Sequence, residues 1–135
     1  MKTWIKVVII TLILGIPAFL LDTVLWPRSP DIAPTAAQLP FFIALSAVEG
    51  LLFGLGVAYL IFAWPLVRGK GAKTMWAYLA AGWLLVSWWP HDNFHASNGV
   101  NPAGLLRIEY GFHVTLIIAS LILAHYLVGV WRKRA

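Results

Sequence analysis

The chain has 135 residues, of which 61% are hydrophobic and 11% charged, about half the charged share of a water-soluble domain. That excludes a soluble monomer, and with no cysteine and eight tryptophans it describes a small integral membrane protein without disulfides or thiolate metal sites. The net charge of +5 does not imply a nucleic-acid partner, because the cations sit in short clusters at the edges of long apolar runs, where they set membrane topology.

The first apolar segment, 7–26, has the ~20 residues a helix needs to cross ~30 Å of hydrocarbon. Lys2 and Lys6 precede it as in a signal peptide, but no small-x-small cleavage site follows closely and Asp22 lies where one would fall, so it is read as a spanning helix. Three prolines between Pro27 and Pro34 make 27–38 an extended outer loop. The second segment, 39–67, is long enough to tilt. Arg68, Lys70 and Lys73 with Gly69 and Gly71 form a short connection to the third, 75–89. The polar stretch 90–105, with Asn98-Gly99 and Asn101-Pro102 turn signals, is expected as a second outer loop before the last segment, 106–131.

The expected fold is therefore an all-α, four-transmembrane-helix bundle forming one domain. Eight cations (Lys2, Lys6, Arg68, Lys70, Lys73, Arg132, Lys133, Arg134) fall on one side and only Arg28 and Arg107 on the other, which places both termini in the cytoplasm. The expected location is a bacterial inner (plasma) membrane, with the lipid bilayer as first partner and other membrane subunits or further copies of the chain as candidates. Trp26, Trp64, Trp88, Trp89 and Trp131 read as interfacial anchors.

Four of the five acids, Asp22, Glu49, Asp92 and Glu109, lie in or at the outer end of an apolar run. Ionisable groups at membrane depth are costly and mark functional sites. Glu109 and His113, and likewise His91 and His95, are four apart, so on a helix each pair shares a face; Pro90 can open a short helix that aligns the second pair. Three imidazoles with two carboxylates suit Zn, Fe, Mn or Cu(II), with His91, His95 and His113 as ligands and Glu109 or Asp92 as a further ligand or a partner that orients a ring. Haem is less favoured, because no two histidines clearly face the interior from different helices at one depth. His125 lies about 18 Å along the helix from His113 and about 120° around it, too far to share a site. Glu49, among Ser46, Ala47, Gly50, Gly54 and Gly56, sits where helices approach closely and is a candidate proton relay. Asp22 is expected to pair with Arg107 or Arg28.

The leading expectation is metal binding at an outward-facing His/carboxylate site, for metal handling or metal-dependent chemistry. A non-catalytic accessory subunit of a larger membrane complex is the main alternative, and a proton- or solute-coupled carrier using Glu49 the second.

Overall fold

The computed structural model describes residues 1–133; Arg134, counted among the cytoplasmic cations, lies outside them, as does Ala135. Helix α1 is Thr3–Leu25, and Pro17 within it is tolerated as prolines are in apolar helices, where neighbours satisfy the freed carbonyl. The proline-rich segment that follows forms no regular helix apart from a single 3₁₀ turn, Pro30–Ile32. Helix α2, Leu39–Val67, opens with Pro40 in its first turn, where no N–H bond is lost.

The third segment is split. Helix α3 is Ala72–Val86 and helix α4 is Trp88–Asn98, so most of 90–105, expected as a loop, is helical. The break at Ser87 follows from Pro90, which has no N–H for the Val86 carbonyl and whose ring crowds it. Gly99 ends α4 with φ of 54°, a left-handed conformation that glycine adopts freely. The Asn101 side chain accepts from the N–H groups of Ala103 and Gly104, and with Pro102 in the first turn it starts the last helix. That helix, α5, runs Pro102–Arg132 and contains one π turn, Glu109–His113.

Among the described residues the structure is all-helical, and α1, α2 and α5 are long and apolar enough to cross a membrane. α3 alone, with 15 residues, covers roughly 22 Å at ~1.5 Å per residue. The helices pack in chain order, α1 on α2, α2 on α3 and α3 on α5, while α4 lies against α2, α1 and the start of α5. α5 makes no extended contact with α1 or α2.

Glycines set the closest approaches. A Cβ on Gly15 would stand 2.8 Å from the Gly50 carbonyl and one on Gly50 2.8 Å from the Gly15 carbonyl, while Gly54 lies against the Thr11 backbone. Gly50 and Gly54 share a face toward α1. Gly56, on the other side of α2, meets Leu85 and Val86 of α3. In lipid, where apolar surface gains little by leaving its solvent, this backbone proximity is a main source of helix association.

Polar ties add specificity. The Tyr78 hydroxyl donates to the Leu60 carbonyl, and the Trp83 indole donates to Thr115 Oγ1 at 3.0 Å. Trp89 is not an interfacial anchor. It is buried, donates from its indole to the Ala18 carbonyl at 3.1 Å, and packs its ring against Trp26 and Phe53. Trp64, Trp88 and Trp131 are exposed.

Candidate metal centre

His91 and His95 are presented by α4, one turn apart on one face, with ring centroids 4.7 Å apart and planes nearly perpendicular. His113 arrives from α5 at the end of the π turn, its ring 4.8 Å from that of His91 and 5.6 Å from that of His95. One nitrogen from each of the three lies within 4.8 Å of the others. The π turn contributes to this placement: the Val114 N–H bonds to the Glu109 carbonyl, five residues back, and the extra residue changes the direction of the side chains around it. The single Thr115 hydroxyl proton is shared between the Gly111 and Phe112 carbonyls, supplying a donor where the π turn disturbs the helical ladder.

The two carboxylates identified in the sequence touch the outer edges of this cluster. His91 Nδ1 lies 2.8 Å from Asp92 Oδ1 and His113 Nδ1 lies 2.7 Å from Glu109 Oε2. Ionised carboxylates only accept, so each ring donates from Nδ1, and a neutral imidazole that does so carries a bare lone pair on Nε2. The two Nε2 atoms face each other at 2.8 Å. At that distance two lone pairs repel unless a cation lies between them, either a proton or a metal ion. With metal–nitrogen bonds of ~2.0–2.1 Å at a tetrahedral angle the two atoms would stand about 3.3 Å apart, so the rings need to separate by about half an ångström.

The surroundings keep one side dry and one wet. His91 is buried beside Phe112 and the edge of Trp88, whereas the Glu109 side chain is 56% exposed. Burial, and then the neighbouring His91 and His113 rings, push the His95 pKa below its ordinary value, which keeps His95 neutral and free to donate a lone pair to a cation.

The other singled-out residues fall nearby or apart. Glu49 is buried on α2, with the Asp92 carboxyl within hydrogen-bonding reach. Asp22 pairs with Arg28 at 3.7 Å, and not with Arg107; it also accepts from Ser46 Oγ at 2.9 Å. Arg107 lines a separate groove with Phe94 and Asn98. His125 is exposed on α5 and outside the cluster.

Two contributors escaped the sequence reading. Asp31 accepts from the Val100 N–H at 3.0 Å and from Ser29 Oγ, while the Ser29 N–H donates to the Ala96 carbonyl at 2.8 Å, so the segment between α1 and α2 is strapped across the end of α4. No sequence signal marks Asp31 beyond its being an acid in a turn. Compared with protein families, characterised proteins and solved structures, the chain matches none.

Proposed function

We propose that the protein is a four-span membrane protein of a bacterial plasma membrane, with both termini in the cytoplasm, that binds a divalent first-row transition metal at its outer face through His91, His95 and His113. The third crossing is made by α3 together with the start of α4, whose break at Ser87 keeps the histidines near the outer boundary. The positive-inside distribution of Lys and Arg carries the orientation.

One observation carries the metal reading: the facing Nε2 atoms of His91 and His113, 2.8 Å apart, with each ring's other nitrogen held by a carboxylate. Metal-binding histidines characteristically donate their second nitrogen to a carboxylate, which fixes the tautomer and strengthens the ligand. Three imidazoles leave a fourth tetrahedral position open, so the site fits reversible metal handling as well as metal-dependent chemistry.

The test is the metal content of protein purified in mild detergent and titrated with Co²⁺ or Zn²⁺. Wild type should hold one equivalent, with a Co²⁺ visible spectrum characteristic of nitrogen ligands, and His113→Ala should lose it. No stoichiometric binding of either ion would overturn the proposal.

The accessory-subunit reading draws on a different observation, the open row of helices in which α5 does not close onto α1 or α2. It requires co-purification of a partner or a second copy, whereas a metal-handling protein can be isolated alone.

A further inference from the structure

Asp92 and His95 also line a cavity of about 210 Å³, whose lining does not include His113. It could hold roughly seven waters at ~30 Å³ each. Glu49 and Asp92 line it together with Arg28, Ile32 and Pro34, and the exposed Phe42 and Leu45 supply its apolar edge.

Glu49 is the group without an explanation. It is only 5% exposed and faces the cavity, yet among the described residues no N–H or hydroxyl donates to it. Its near polar neighbour is another acid, Asp92, and two carboxyls hydrogen-bond only through an added proton. The available donors point elsewhere: Ser46 donates to Asp22, and the Arg28 guanidinium faces Asp22 with its Nε buried and unpartnered. Glu49 and Asp92 thus line the cavity beside a single guanidinium, which is paired with Asp22, and among the described residues no donor in the cavity reaches Glu49.

We infer that this cavity is a binding pocket for a primary organic ammonium group, which donates to Glu49 while its alkyl part lies along Phe42 and Leu45. A metal ion suits it poorly. Among the described residues the histidine cluster alone brings three ligand atoms together, and an apolar edge offers nothing to a hydrated ion. An anion would meet two carboxyls and an arginine already paired. Neutralising a buried carboxylate with a donor that fills its lone pairs removes the main cost of burying it. The pocket goes beyond the metal reading and does not depend on it.

The ammonium can come from a free amine or from the headgroup of an ethanolamine lipid in the outer leaflet. Equilibrium dialysis of radiolabelled n-butylammonium against the metal-free full chain in phosphatidylcholine nanodiscs tests the pocket itself. One saturable equivalent per chain is expected, weakened more than tenfold by Glu49→Gln and changed less than twofold by His113→Ala. Leu45→Trp, an exposed position whose enlargement fills the mouth, should abolish binding without touching the acid, so the test survives if Glu49→Gln misfolds. Unsaturable uptake, or wild-type binding by Leu45→Trp or by a folded Glu49→Gln, overturns the inference. Repeating the dialysis with phosphatidylethanolamine in the nanodisc separates the sources: competition assigns the headgroup, and unchanged binding assigns a free amine. Failure here with Co²⁺ still bound at the histidines would leave the metal centre standing, and the converse result would leave the pocket standing.

Discussion

At the scale of single residues, the centre depends on which nitrogen of each ring is occupied. Asp92 and Glu109 hold Nδ1 of His91 and His113, so Asp92→Asn and Glu109→Gln should leave all three imidazoles present and still weaken Zn²⁺ affinity about 10- to 100-fold, read by competition against a chelating dye. His113→Ala removes a donor outright and should lower retained metal below stoichiometry. Acidification acts in the same direction. A ligand nitrogen must be unprotonated, and the His95 pKa lies below the ordinary His value, so His95 remains available at neutral pH and is lost to protonation only as pH falls through that lowered value. Metal retention measured against pH should therefore hold through neutral pH and fall once His95 protonates, at a pH below the ordinary His value of roughly 6.5. The pattern of paired i, i+4 residues was legible in the sequence because helical spacing alone dictates a shared face. Which ring atom each acid would take was not legible, since that depends on rotamers and on the π turn.

At the scale of elements, the α1–α2 seam is set by backbone contact at Gly15, Gly50 and Gly54. Gly54→Val places a branched side chain against the Thr11 backbone and should cost about 1–3 kcal/mol, as overpacking does. Gly129, with nothing near its would-be Cβ, serves as the control, and Gly129→Ala should leave thermal unfolding followed by circular dichroism unchanged or slightly raised. Gly99 is a different case. It combines φ of 54° with contact against the Asp31 carboxylate, so Gly99→Ala strains the backbone and pushes on the strap over α4. Proteolysis of the 27–38 segment should accelerate in that variant. The long apolar runs and the proline-rich segment were plain in the sequence, because hydropathy and missing N–H groups act locally. The helix α4 was legible only in part: Pro90 offered a helix start that would align His91 with His95, while 90–105 as a whole read as a loop. Asn98-Gly99 and Asn101-Pro102 read as turns within a polar stretch, and the helical state of the residues before them is supported by the buried Trp89 and His91.

At the scale of the molecule, helices stacked in chain order leave α1 at one edge and α5 at the other. The sequence suggested a four-helix bundle; whether contact closes back on α1 depends on side-chain size along α5, which no local pattern reveals. Metal bound to the folded state adds to its stability by mass action, about 2.7 kcal/mol at a free concentration 100 times the dissociation constant. Saturating Zn²⁺ should therefore raise the unfolding temperature of the wild type and leave His113→Ala unmoved.

Among the described residues the last helix packs chiefly on α3 and α4, and its contacts with α4 include Gly104 against Asn98, Phe112 against Phe94 and His113 against His91. An ion held there would act as a rivet near one end of an otherwise one-sided joint. Stripping it with a chelator should let the segment from Glu109 to Ala119 swing outward, seen as faster amide hydrogen exchange there, while the glycine-locked pair at the opposite edge keeps its protection.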